Sequence, residues 1–592
     1  MNGNRIMMSG DEAVARGAWE AGVTLAAAYP GTPSTEILEN ISRYKDNIYC
    51  QWANNEKVAA EIAAGAAIGG ARALAAMKHV GMNVAADPIF TMGYAGVNGG
   101  LLLISADDPG CHSSQNEQDN RLYAPHAKLA MLEPSDSQEC RDFTIAAFDI
   151  GERFDLAVLL RMTTRVCHSK SIVETGPRNQ VGVKSYVADP GKYAMLPATA
   201  RRRHLAVEEH LKALEEYSRT SPLNRMEMND RSIGIVTSGI SYMHAREAFG
   251  ENASYLKLGI TYPLSGELIR GFCSQVEKIY IVEEGEPYLE TAVRALGFPC
   301  VGKEAVTCQG ELNAQIVRKA FGIGLPPETY RVDAEAPPRP PVLCAGCPHR
   351  GFFHTLSRHK KNLVAVGDIG CYGLGVGAPF NGFDLSICMG AGLSAPIGLA
   401  KALEKQGDAR KVFGMVGDST FFHSGLNSMI DAIHADANVC LCVLDNGITA
   451  MTGHQENAGT AKDVMGYEVP RVELLDMIYA TGIDRERVRV VDPLDLAEME
   501  KAVQDALSAQ GTFIIVTKRP CVLIKSVMRA NAGKHCVVDP DKCKSCKQCM
   551  TIGCPSLAFD GGKSRVADPD SCNACGLCIQ KCKFGAISKV GE

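Results

Sequence analysis

The sequence of 592 residues contains no run of 18 apolar residues, no apolar stretch behind its N-terminus and no strong excess of charge of one sign. Each absence removes a class of function. A membrane-spanning helix needs about 20 consecutive apolar residues; GGLLLIS and TFIIVT are far shorter and read as buried strands. The opening MNGNRIMMSGDEAVARG carries acids where a secretory signal has its apolar core. A net charge of −6 gives no electrostatic footprint for nucleic acid or a membrane surface. The expected location is the cytoplasm. Composition is otherwise ordinary for a soluble protein, 46% apolar and 22% charged. A chain of this length exceeds one core and is expected to hold about three or four domains.

Cysteine is what the chain has in quantity, at 23 residues. Cytosolic cysteines are normally thiols or metal ligands, so the number suggests metal and an anaerobic cell. The last eight are regularly spaced. Cys543, Cys546 and Cys549 form C-x2-C-x2-C, and Cys554 precedes Pro555. Cys572, Cys575 and Cys578 repeat the triplet, with Cys582 as fourth member; each triplet follows Asp-Pro-Asp, which marks a duplication. Thiolates at this spacing can hold three corners of an iron–sulfur cube, and in two-cluster ferredoxins the fourth ligand comes from the other half. That assigns Cys543, Cys546, Cys549 and Cys582 to one 4Fe-4S cluster and Cys572, Cys575, Cys578 and Cys554 to a second. Zinc sites also use C-x2-C pairs but need no third cysteine at that spacing. Two features depart from the bacterial ferredoxin pattern: four residues separate Cys549 from Cys554, and Lys583 stands where Pro is usual.

A tail of this kind carries single electrons, which something upstream must exchange. KVFGMV and NVCLCVL read as buried parallel strands flanking a helical stretch, TFFHSGLNSMIDAIHAD. Asp418 falls just past the first strand and Asn446 just past the second, at the strand ends where such sheets bind ligands. Two oxygen ligands beside the helix start at Ser419–Thr420 would suit Mg²⁺ and a diphosphate. Otherwise GD and DN are ordinary turn dipeptides.

These stretches resemble a family. Gly417 to Asn446 (GDS, 25 residues, DN) is similar to the thiamine-diphosphate motif GDG…NN, with Ser419 for Gly and Asp445 for Asn. The resemblance implies Mg²⁺ ligands in Asp418, Asn446 and the backbone carbonyl of Ile448, with Gly417 and Ser419 at the cofactor. TAMTGHQ resembles the TGGQ segment of 2-oxoacid:ferredoxin oxidoreductases, with His454 in place of Gly. Glu56, at a helix start between two strands, matches that family's catalytic glutamate; read alone, it is an acid complementing a helix dipole. YPGTPSTE resembles the family's YPxTPSS, where Thr32 matches the threonine that holds the substrate carboxylate; read alone, it is a capped turn. SSQNEQDNR, TTRVCHS, VEEGEPYLE, CAGCPHRG and GDIGCYGLG extend the likeness over essentially the whole chain, most closely to alpha subunits of the indolepyruvate enzymes. Arg121 and Arg165 are candidates for binding CoA or substrate anions, and equally for ion pairs. The resemblance also implies a third, proximal 4Fe-4S cluster on Cys344, Cys347, Cys371 and Cys521. Cys388, Cys440 and Cys442 are read as buried free thiols.

The expected architecture is α/β and multidomain. A pyrimidine-binding thiamine domain (1–200) and a helical linker (201–230) precede a transketolase C-terminal-like domain (231–332). A diphosphate- and Mg²⁺-binding domain (342–530) follows the stiff EAPPRPP segment, then a two-cluster ferredoxin domain (535–592). The implied activity is oxidative decarboxylation of arylpyruvates with CoA to acyl-CoA and CO₂, reducing ferredoxin. The implied partner is a beta subunit, in an α2β2 assembly. The alternatives are a related oxidoreductase for other oxoacids, a non-oxidative thiamine decarboxylase with a structural ferredoxin domain, or a bare electron carrier, which leaves most of the chain unexplained.

Overall fold

The longest apolar runs become the centres of parallel sheets. They do so in a computed structural model that describes residues 4–326 and 334–590. Strands of a parallel sheet are covered on both faces, so they read as continuous rather than alternating apolar stretches. GGLLLIS supplies the strand Leu101–Asp107 and TFIIVT the strand Phe513–Lys518. The chain forms two compact units, one built from the sequence before the proline-rich segment together with residues 464–467, the other from the remainder. Among the described residues no helix is long and apolar enough to cross a membrane.

In the first unit a seven-stranded sheet runs in the order Ile260–Tyr262, Ala130–Leu132, Val158–Thr163, Leu101–Asp107, Ala73–Lys78, Leu25–Ala28, Tyr49–Trp52. All neighbours are parallel except the first pair. That antiparallel edge strand comes from the segment that also builds a second, four-stranded sheet around Ile233–Ser238. The helix Pro197–Thr220 places Val207, Leu211, Leu214 and Ser218 on its buried stripe, at the spacing of an amphipathic helix, and leaves its charges outside.

SSQNEQDNR and VEEGEPYLE meet at Arg121. This side chain is 1% exposed, pairs with Asp119 at 2.5 Å and Glu283 at 2.6 Å, and donates to the carbonyls of Glu284 and Glu286. Arg121 is therefore an interior strut and is not available to a CoA or substrate anion. Arg121→Met would leave two buried carboxylates without their cation, which costs about 3–5 kcal/mol. The unfolding midpoint should drop by several degrees in a thermal melt; an unchanged midpoint would show that the pair contributes little.

In the second unit five parallel strands lie in the order Leu363–Val366, Lys411–Gly417, Val439–Asp445, Phe513–Lys518, Val488–Val491. Along Lys411–Gly417, Phe413 and Met415 join the apolar cluster on one face, while Val412 and Val416 join that on the other. Cys440 and Cys442 sit on one face with sulfurs 3.9 Å apart, both buried, whereas Cys388 is exposed and corrects the reading of it as a buried thiol. Side chains of this period-2 pattern alternate between faces, but Cys388 lies outside any strand.

The C-terminal segment has two small antiparallel pairs, His535–Val538 with Ile587–Val590 and Leu557–Asp560 with Lys563–Val566. Gly561 and Gly562 close the second hairpin with φ of +56° and +78°, the left-handed pair that a two-residue turn of this twist requires. Cys536, Cys549 and Cys578 make up half of the six buried residues in this segment's core cluster. So small an apolar core is of the kind that a metal centre can stabilise.

Candidate active site and electron-transfer centres

Because the second unit's sheet is wholly parallel, the carboxyl ends of its strands share one edge. Asp418 follows Lys411–Gly417, Asn446 follows Val439–Asp445, Cys371 lies beyond Leu363–Val366 and Cys521 beyond Phe513–Lys518. Asp418 and Asn446 are buried. The Asn446 side-chain oxygen accepts from the Ile448 amide at 3.1 Å, drawing that loop inward, and Thr449 bonds the Ser419 hydroxyl at 3.0 Å. Burial, then the nearby Asp445, pushes Asp418 up to about 7. A buried carboxylate beside a second acid is a donor set suited to a hard cation, which fits Mg²⁺. A Cβ at Gly417, the last residue of its strand, would come within 2.9 Å of the Tyr372 ring, so any larger residue there must displace that buried ring. Asn457 also reaches Asp418 Oδ2, at 3.1 Å. It escaped sequence reading because it lies in a loop with no periodic or motif signal.

The stretch TFFHSGLNSMIDAIHAD is one helical run, as its periodicity suggests, but it contains a π turn over Phe421–Gly425, directly after Asp418–Thr420. Such turns recur at functional sites, and apolar periodicity does not reveal them.

In the first unit, three adjacent parallel strands bring another group to their carboxyl edge: Thr32, Glu56 and Lys78. Glu56 is the first residue of the helix Glu56–Ile68, but the cap is Asn55, whose side chain accepts from the Val58 amide at 2.9 Å. Glu56 is itself buried, under Gly81; a Cβ there would lie 2.6 Å from its Cγ. Thr32 does not cap a helix. Ser34 holds the cap position of Thr35–Ile41 and turns its hydroxyl back to the Gly31 carbonyl at 2.8 Å. Lys78 donates to the Ser113 carbonyl at 2.6 Å, and the Ser113 hydroxyl donates to the Thr32 carbonyl at 3.2 Å. Burial, then Lys78, pushes His79 down to about 4, leaving it neutral at neutral pH. Lys78 was legible in principle, as the lone cation ending the buried run ALAAMK. Arg165 pairs with Glu311 at 2.6 Å and, like Arg121, serves as an ion-pair partner.

All 23 cysteines are free. Cys543, Cys546, Cys549 and Cys582 line one cavity of the C-terminal segment. Cys554, Cys572, Cys575 and Cys578 line another, so the fourth cysteine of each half faces the other half's triplet. Cys536 also lines the second cavity, with its backbone amide on the Cys572 sulfur at 3.3 Å; it stands outside the repeated spacing and gives no sequence signal. The four scattered cysteines are electrostatic neighbours. Burial pushes Cys347 up to about 12, with Cys344 and Cys371 adding to it; burial pushes Cys371 up to about 11, with Cys521 and Cys344 adding to it. The Cys521 amide donates to the Asn446 carbonyl at 2.9 Å, and its sulfur lies 3.8 Å from His454 Nε2. Two buried thiols, Cys347 and Cys521, with the half-buried Cys371 and the exposed Cys344 as electrostatic neighbours, suit a soft metal centre. His454 has φ +68°, in the left-handed region that favours the glycine of the related segment.

Residues 16–212 match the thiamine-diphosphate-binding domain of pyruvate flavodoxin/ferredoxin oxidoreductases, 368–517 the C-terminal domain of thiamine pyrophosphate enzymes, and 565–588 the 4Fe-4S binding domain. The chain is an oxidoreductase with thiamine-binding and iron–sulfur domains. It is 39% identical to the indolepyruvate oxidoreductase subunit IorA of Archaeoglobus fulgidus, over 94% of this chain and 93% of that one. It is 37% identical to the IorA subunits of Methanothermobacter thermautotrophicus and Pyrococcus horikoshii, over 100% of this chain and 98% of each. Matched at this identity across nearly its full length, the chain belongs to the family of indolepyruvate oxidoreductase IorA subunits.

Proposed function

We propose that this chain oxidatively decarboxylates arylpyruvates, with CoA, to acyl-CoA and CO₂, and sends the electrons singly through iron–sulfur clusters to ferredoxin. The observation that carries this reading is Cys521, whose amide holds the Asn446 carbonyl while its sulfur joins the four-cysteine group. One loop thus belongs both to the candidate cofactor edge and to the candidate electron acceptor.

Asp418, Asn446 and the Ile448 carbonyl would hold Mg²⁺ and, through it, the diphosphate. Thiamine diphosphate, when bound, supplies a nucleophilic carbon and an electron sink. Glu56, buried at its helix start, would hold the proton exchanged with the aminopyrimidine, and Gly81 keeps the space its carboxylate needs. Thr32 and Lys78 would orient the substrate carboxylate, with Ser113 fixing both. Cys344, Cys347, Cys371 and Cys521 would bind the proximal cluster, and the two cavities of the C-terminal segment the other two. A beta subunit completes the enzyme as α2β2, with the alpha chains paired across the cofactor.

Purified anaerobically with its beta subunit, the protein should reduce a viologen dye with indolepyruvate only when CoA is present, and the alpha chain alone should not turn over. Release of CO₂ without dye reduction would favour the non-oxidative decarboxylase. Iron analysis should give about twelve atoms per chain, from three four-iron clusters. Cys371→Ala should give about eight; an unchanged count would remove the proximal cluster from this reading.

A further inference from the structure

Three titratable side chains that the proposed reaction does not use converge in the first unit. Asp11 lies in the helix Gly10–Glu20, Glu36 in Thr35–Ile41 and His168 at the end of Thr164–His168. One ligand atom from each lies within 4.8 Å of the other two, and His168 Nε2 is 3.9 Å from Glu36 Oε2. Asp11 is 0% exposed, and neither of its carboxylate oxygens has a nitrogen or oxygen donor within hydrogen-bond geometry among the described residues; Glu36 Oε2 is buried, with His168 Nε2 beyond hydrogen-bond distance. Outside the trio, the Cys167 thiol is the polar neighbour of Asp11, and Glu12 and Glu39 add further negative charge.

A carboxylate enclosed with no donor stronger than a thiol must carry either a proton or a cation. Here a second carboxylate and an imidazole face it, and the surrounding acids favour the cation. We propose that Asp11, Glu36 and His168 form a binding site for a divalent transition-metal ion. Two carboxylates and one imidazole suit zinc, manganese or iron(II), whereas Ca²⁺ and Mg²⁺ take oxygen ligands. Three protein ligands leave a position open, on the side where Glu36 is only partly buried and His168 is exposed. Glu36 ends the segment that carries Thr32, and His168 also meets the Pro33 backbone, so the metal would clamp that segment.

Mn²⁺ is the probe, because it prefers oxygen and nitrogen donors and leaves the cysteine sites alone. Titrating the full-length Asp418→Ala chain, in which the Mg²⁺ site is removed, and reading free Mn²⁺ by EPR should show one tight ion per chain. Adding Asp11→Asn or His168→Gln should weaken it by at least about tenfold. His168 is partly exposed, so His168→Gln keeps the test decisive if the Asp11 variant fails to fold. Absence of a tight ion in the Asp418→Ala chain, or unchanged affinity with His168→Gln, would overturn the site and leave Asp11 holding a proton.

Discussion

Glu56→Gln should cut CoA-dependent oxoacid oxidation by about 10²–10⁴-fold, the range typical of a lost general acid–base group. The substitution keeps the shape that fits under Gly81, where an added Cβ would meet the side chain's Cγ. It removes only the capacity to hold and release a proton. Asn55, not Glu56, caps the helix, so the fold loses little beyond a favourable interaction with the helix dipole. Steady-state dye reduction and the content of bound thiamine diphosphate should be measured together. Turnover within a few-fold of wild type would return Glu56 to the role of an acid at a helix start, and loss of the cofactor would make it a binding residue instead.

The second large effect concerns Asp418. With Asp418→Ala, the purified chain should lose its thiamine diphosphate and all activity, because the proposed Mg²⁺ would keep only Asn446 and a backbone carbonyl from the protein. Cluster absorbance and iron content should remain, since among the described residues the Asp418 side chain bonds Asn457 and not a cysteine. The fold should tolerate the change. In the absence of a cation, burial and Asp445 already oppose the charged form of Asp418, and its one resolved side-chain partner is Asn457. A variant that keeps full cofactor and activity would show that the diphosphate lies elsewhere.

What could be read along the chain was whatever depends on local periodicity and spacing. The eight C-terminal cysteines fall into their two cavities because x2 spacing within a loop already brings three sulfurs to one side. Asp418 and Asn446 were legible because strands buried on both faces are unbroken apolar runs, so their ends, where polar residues resume, stand out. The same logic applies to Glu56, which stands between a strand and a small-residue helix, and to Cys371 and Cys521, which follow buried apolar runs to that edge.

Only the tertiary structure decided the rest. The likeness of SSQNEQDNR to its family did not show that Arg121 is spent on Glu283, 162 positions away. The three-residue strand Ile260–Tyr262 is too short to carry a pattern, yet it closes the edge of a sheet built by the N-terminal sequence. Cys536 lies outside the repeat but beside Cys572, and Asp11 meets Glu36 and His168 across three separate helices. The physical reason is common to all four. Period and spacing record which face or turn a residue occupies, and these extend over only a few residues. The partner across the interior is set by how whole elements pack, and that packing leaves no mark in the neighbouring sequence.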